Sequence, residues 1–217
     1  MLKFEKIIIA AIMLLSVISL VPIASACTTV LVGKDVSKNG NMLLARNEDN
    51  KPGWAKRFIV IDENKNNMGK RNYISKGNGF SIGLPKSSQR YTATPDADPR
   101  SGQFGESGTN QSGVIMSATE STNNNEKAAA ADPFVKDGIS EDSMLGVVLP
   151  YITSAKQGVE LLGKIVETKG AAEGDGIIFG DSNEAWYFEN GSGHQWAAQR
   201  LPGDCCAVTV SYTHLTL

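Results

Sequence analysis

The chain is poor in the residues that most often announce a cofactor. It has two histidines, His194 and His214, too few for a multi-histidine metal centre, and its carboxylates follow no metal-ligand spacing. No glycine-rich loop of the phosphate-cradling kinds is present. It also lacks a basic cluster: 21 basic against 23 acidic residues leave a net charge of −2. That balance argues against nucleic acid as a partner. No apolar run reaches the roughly 20 residues that cross a bilayer. The longest, residues 7–21, has 15 positions with two serines among them. No cofactor and no metal are expected, and no stable membrane span once this segment is gone.

What is present at the start reads as an export signal. Lys3 and Lys6 flank Glu5 in a mostly positive opening, residues 7–21 form the apolar stretch, and Pro22 breaks it. Ala24-Ser25-Ala26 then supplies the small residues that a signal peptidase reads. The alternative is an uncleaved N-terminal anchor. Cleavage after Ala26 puts the mature protein outside the cytoplasm, as a secreted, periplasmic or cell-surface chain beginning at Cys27. Lys3, Lys6 and Glu5 leave with the leader, so 191 residues remain with 19 basic and 22 acidic side chains and a net charge of −3. That is enough for one sizeable domain or part of a larger one. Whether it forms a homo-oligomer is left open.

Three cysteines in an exported chain leave at least one thiol unpaired. Cys205 and Cys206 are adjacent, and the ring that neighbouring cysteines close is strained, so they read as two faces of one strand. Cys27 admits two readings that exclude each other. It is either the lipid-modified first residue of a lipoprotein, although Ala24 stands where that processing wants a large aliphatic residue, or a free N-terminal residue carrying a thiol and an α-amine. The free form pairs a nucleophile with a base.

The segment after Cys27 supports the second reading. Thr28-Thr29-Val30-Leu31-Val32 is β-branched and predicts a strand, and Asn39-Gly40 marks a tight hairpin turn. Residues 42–45 return as a second strand and deliver Arg46-Asn47-Glu48-Asp49 beside Cys27. A thiol titrates near about 8.5 and an α-amine near about 8, so both are partly reactive at neutrality. A guanidinium favours the thiolate, and a carboxylate can orient the amine. The competing reading of Arg46 and Asp49 is an ordinary surface ion pair.

Further along, residues 57–62 predict a third strand, followed by a polar loop at 63–71. Residues 85–110 are rich in Pro, Gly, Ser and Asp and read as one long loop, either a flap over a cleft or a mobile surface excursion. Residues 108–118 read as a turn and strand ending at Glu120. Ser140-Glu-Asp predicts a helix start, Pro150 its break or kink, and Val159, Leu162, Ile165 and Val166 a second helix closed by Gly170. Residues 177–179, 185–189 and 195–199 predict a meander of antiparallel strands. His194 falls in a turn, where a lone histidine reads as solvated.

Cys-Thr-Thr at 27–29, Val-Gly-Lys at 32–34 and Arg-Asn-Glu-Asp at 46–49 together resemble the C69 dipeptidases, a family of N-terminal nucleophile hydrolases. Residues 108–114, Ser-Ala-Thr-Glu-Ser at 117–121 and Gly-Asp-Gly-Ile-Ile-Phe-Gly-Asp at 174–181 extend the resemblance over 27–208. More distantly the chain is similar to choloylglycine hydrolases and penicillin V acylases, which also space Arg and Asp three apart. The resemblance implies an α+β fold, an αββα sandwich of antiparallel sheets, incomplete in this chain. It implies hydrolysis of dipeptides with a free amino end. Cys27 would be the nucleophile, Arg46 would tune its thiol, Asp49 would hold the α-amine, and Glu120 would bind the substrate ammonium, unless it is simply a solvated strand end. An amide hydrolase of the acylase type is the alternative. The family pattern also implies an asparagine-bearing turn after residue 208 and a long further segment. Residues 209–217 do not match it and are expected to be foreign to the family.

Overall fold

The computed structural model describes residues 27–49, 53–65, 71–98, 100, 102–122 and 124–210. Residues 1–26, read above as an export signal, and residues 211–217 with His214 lie outside the described residues. Twelve strands and three α-helices are present among those described. The hairpin predicted at the start forms as β1 (Thr28–Val32) and β2 (Leu43–Asn47), with Thr29 opposite Arg46. β12 (Cys206–Val210) pairs along the other edge of β1, with Thr209 opposite Thr29. The three make a sheet in the order β12-β1-β2.

A five-stranded antiparallel sheet lies against it. It is built from β7 (Ser107–Thr109), β8 (Ile115–Thr122), β9 (Gly174–Gly180), β10 (Ala185–Asn190) and β11 (Trp196–Leu201), in the order β11-β10-β9-β8-β7. Alternation along these strands separates two cores. Ile115, Ile178, Ala185 and Tyr187 face the small sheet and pack with Leu31, Leu201 and Ala207. Met116, Ala118, Ile177, Phe179 and Phe188 point the other way, into a larger cluster with the helices. β9 is buried at all seven positions, as a central strand covered on both faces must be.

Three helices follow β8: α1 (Glu126–Ala131), α2 (Glu141–Val148) and α3 (Ala155–Lys169). α2 and α3 lay their apolar residues on the five-stranded sheet, which gives the layering helix, sheet, sheet. The antiparallel α+β sandwich expected from the sequence is therefore present. Pro150 does not cut the chain abruptly; α2 passes into a 3-10 turn, Leu149–Tyr151, with proline at its start, where a missing N–H costs nothing. α3 comes so close to the sheet that a Cβ on Gly158 would lie 2.5 Å from the Phe179 ring, and one on Gly163 would lie 2.5 Å from Trp196.

The stretch read as one long loop at 85–110 is not one. It contains β6 (Tyr91–Ala93), paired with β3 (Ile59–Ile61), and β7, whose Gly108 lets the two strands run against each other. Three-residue strands of Tyr, Thr, Ser and Gly carry too little alternation to stand out in sequence. The polar loop read at 63–71 gives way at Arg71 to β4 (Arg71–Ile74), which pairs with β5 (Ser81–Leu84).

Candidate active site

Cys27 immediately precedes β1, half-buried between the two sheets' ends. Arg46 arrives on β2 opposite Thr29, two positions from Cys27 in register, and is buried, its side chain only 6% exposed. It bridges the sandwich: Nη1 donates to the Ala118 carbonyl and to Thr119 Oγ1 at 3.1 Å, while Nη2 meets Glu106 Oε2 and, at 2.9 Å, Glu141 Oε1. Thr29 Oγ1 and Ser117 Oγ, 3.0 Å apart, tie the same two sheets one turn of the pleat further in. The reading of Arg46 and Asp49 as a surface ion pair is thus corrected. Arg46 is interior, and its carboxylate partners stand 60 and 95 residues away in the chain.

Asp49 contributes through its backbone, whose N–H donates to the Cys27 thiol. Its carboxylate accepts from Asn47 Nδ2 at 2.7 Å. Burial raises the Cys27 thiol pKa; Arg46 and the Asp49 N–H pull it back, and Glu141 and Glu106 push it up again, leaving it above its ordinary value. For Arg46 burial opposes the charge, but Glu106 and Glu141 outweigh it and hold the guanidinium charged.

Glu106 is 2% exposed and takes a left-handed backbone conformation, φ 60°, two residues after Phe104 at φ 44°. Such conformations cost side-chain-bearing residues energy and persist where surroundings hold them. Here the holding groups are Arg46 and Lys56, whose Nζ also binds Glu48 at 2.8 Å and Asp96 at 2.6 Å. Burial and Glu141 push the Glu106 carboxyl well above the usual range despite Arg46. Glu141 opens α2, and its backbone N–H donates to Glu173 Oε1 at 2.8 Å. Burial raises Glu173 to about 7, with Glu120, Glu141 and Asp142 adding to the shift.

Glu120 sits opposite Asp175 in the ladder, on the face that points toward the helical layer, whereas Thr119 faces Arg46. Its side chain is exposed, and its pKa is raised by partial burial and by Glu141. Sequence reasoning missed Glu106, Glu141 and Lys56. The helix-start signal at Ser140-Glu-Asp was the one visible trace of Glu141, and it carried no hint of a partner on β2. His194 is not simply solvated: its ring Nδ1 lies 2.8 Å from Asp132 Oδ1, and its backbone N–H donates to Oδ2 of the same carboxylate. Asp132 falls to about 2 as a result of that contact and a bond from Ser192.

Among the described residues no group of three His, Cys, Asp or Glu side chains is placed to hold a metal, and no helix is long and apolar enough to cross a membrane. None of the three cysteines forms a disulfide; Cys205 lies just outside β12 and Cys206 is its first residue. A cavity of about 540 Å³ runs along β10 and β11, lined by Tyr187, Glu189 and Trp196 among others, away from Cys27.

The family model for peptidase family C69 matches residues 26–215. A probable dipeptidase of Latilactobacillus sakei is 46% identical over 188 residues, 86% of this chain and 39% of that protein. One of Salmonella dublin is 47% identical over 191 residues, 88% of this chain and 44% of that protein. The chain thus spans less than half the length of these curated relatives. Among solved structures, penicillin V acylase from Agrobacterium tumefaciens has the same fold, with a TM-score of 0.52 at 14% identity, covering 80% of this chain and 49% of that one. By the family match across nearly all the described residues and by these identities, the chain belongs to peptidase family C69.

Proposed function

We propose that this chain carries the nucleophile end of a cysteine dipeptidase, made active when a signal peptidase cuts after Ala26 and exports a protein beginning at Cys27. One observation carries the reading. Cys27, at the head of β1, lies within reach of a buried, doubly paired Arg46, with the Asp49 N–H on its sulfur. An isolated half-buried thiol with a raised pKa is a poor nucleophile near neutrality. Cleavage adds an α-amine to the same residue, and that group is the missing base.

In the proposed mechanism the Cys27 sulfur attacks the peptide carbonyl while the α-amine takes the thiol proton. The amine then gives that proton to the leaving amino group as the C–N bond breaks. Water, deprotonated by the same amine, hydrolyses the thioester and frees the thiol. Arg46 lowers the thiol pKa, Asp49 holds the head of the chain, and Glu120, with Glu141 behind it, attracts the free ammonium of a dipeptide. The dipeptidase names of the relatives support this substrate class. No step calls for a cofactor.

The mass of the N-terminal peptide from the exported protein is the first test. A free cysteine at position 27 supports the enzyme, and an acylated cysteine or an uncut leader overturns it. Assay of free dipeptides against N-acyl amides then separates a peptidase from an acylase. Cys27→Ser should abolish whichever activity the chain has.

A further inference from the structure

Two buried carboxylates near α2 are treated in opposite ways. Asp142 accepts hydroxyl hydrogen bonds from Ser75, Ser140 and Ser143, at 2.7, 2.7 and 2.6 Å. Asp175 on β9 is 0% exposed, and neither of its oxygens has a partner. Beside it in the ladder stands Asn190 on β10, also 0% exposed, whose amide oxygen is likewise unpartnered. The orientation of that amide is fixed, because Nδ2 donates to the Glu173 carbonyl at 2.6 Å. Turning it over would set oxygen against oxygen. Three acceptor atoms on neighbouring strands therefore share one face with no donor among them.

The surroundings repeat the same sign. On the other side of Asp175 its ladder partner is Glu120, and like charges directly opposite each other weaken a sheet. Glu173, Glu141 and Glu106 also act on Asp175, each with the same charge. A buried ionised carboxylate is found paired or bound to a metal ion. What these three acceptor atoms ask for is a positive charge that takes oxygen ligands and needs no donors.

We propose that Asp175 and Asn190 form a structural site for a hard divalent cation of calcium size. Asp175 supplies both carboxylate oxygens, Asn190 its amide oxygen, and water the rest. Paired positions on adjacent antiparallel strands have Cβ atoms about 4.5–5.5 Å apart, which lets one ion with oxygens at about 2.3–2.6 Å bridge them. A carboxylate and an amide oxygen suit calcium, whereas magnesium keeps most of its water and demands stricter geometry. Because the site is wholly buried, the ion is taken up as the sheet closes and links β9 to β10. The ligands come from separate strands, one of them an amide, which is why no spacing in the sequence reveals them.

The test uses the full chain, stripped with a chelator and then equilibrated with calcium chloride. Elemental analysis after equilibrium dialysis should find one calcium per chain. At a calcium concentration of about 100 times Kd, the unfolding midpoint should rise by about 5–10 °C. Asp175→Asn keeps the shape, pairs with the Asn190 oxygen through its own amide and removes the charge; it should bind no calcium and show the same midpoint with and without it. If the parent chain retains no calcium and its midpoint ignores both chelator and calcium, the proposal is wrong and Asp175 is a neutral acid donating to Asn190. A calcium response that survives unchanged in Asp175→Asn overturns it equally.

Discussion

At the scale of single residues, the candidate site turns on Arg46 carrying two buried carboxylates and one thiol. Arg46→Ala leaves Glu106 and Glu141 unpaired in the interior, and removing one partner of such a cluster costs about 3–5 kcal/mol. It also removes the charge that pulls the Cys27 thiol down, so the thiol pKa climbs further. Alkylation of Cys27, followed peptide by peptide to separate it from Cys205 and Cys206, should move to higher pH. Arg46→Lys keeps the charge and should move that profile less, although one ammonium cannot hold both carboxylates as the guanidinium does. Glu120→Gln tests the ammonium reading: KM for free dipeptides should rise more than KM for N-blocked ones. Equal changes on both substrates would remove that role. Cys27, Arg46 and Asp49 were legible in sequence because a short hairpin with an Asn-Gly turn fixes which residues return to the strand's start. Glu106 was not, since nothing in a loop of Gly, Phe and Glu tells which carboxylate will be buried.

Among the elements, α3 is held by how little its inner face projects. Gly158→Val would push side-chain atoms into the Phe179 ring, where even a Cβ sits at 2.5 Å. Overpacking of this kind costs about 1–3 kcal/mol, more than the roughly 1 kcal/mol that helix propensity returns on replacing glycine with a strong helix former. Thermal unfolding of the variant should begin several degrees lower. The start of α2 is tied to the residue that leads into β9 through the bond from Glu141 N–H to Glu173, whose pKa stands at about 7 in the fold. Its unfolded value is about 4.3, so the fold binds the extra proton between these limits. That stabilisation, roughly 3 kcal/mol, is fully present below pH 4 and is lost as pH rises through 7. Unfolding midpoints of Glu173→Gln, which keeps an acceptor for the Glu141 N–H, should fall less steeply over that window than those of the parent chain. A parallel decline in both would mean that Glu173 is not the group responsible. α3 and β9 to β11 could be read directly, because apolar periodicity and regular turns survive in a chain this length. β3 was read within 57–62 from its apolar run, whereas the short strands β6 and β7 could not be, because three residues define no period.

Over the whole molecule, β12 decides whether Cys27 and the strand it heads have a frame. It makes β1 the middle strand of its sheet, pairing from Cys206 against Val32 to Val210 against Thr28. A chain ended after Cys205 keeps Cys27, Arg46 and Asp49 but leaves β1 an edge. Hydrogen exchange at residues 28–32 should then be faster than in the full chain, while β9 and β10 keep their protection. Unchanged exchange in β1 would show that the hairpin alone suffices.

The sequence by itself determined the hairpin, the thiol at its head, the helix that covers the sheet and the family to which the chain is similar, since each is written in local spacing or in contiguous motifs. Only the tertiary structure decided the partners of Arg46 and the orphaned pair Asp175 and Asn190. Those residues sit on separate strands and a helix start, and what gathers them is the packing of two sheets and one helical layer. Burial then sets their charge, through neighbours that no stretch of the chain places side by side.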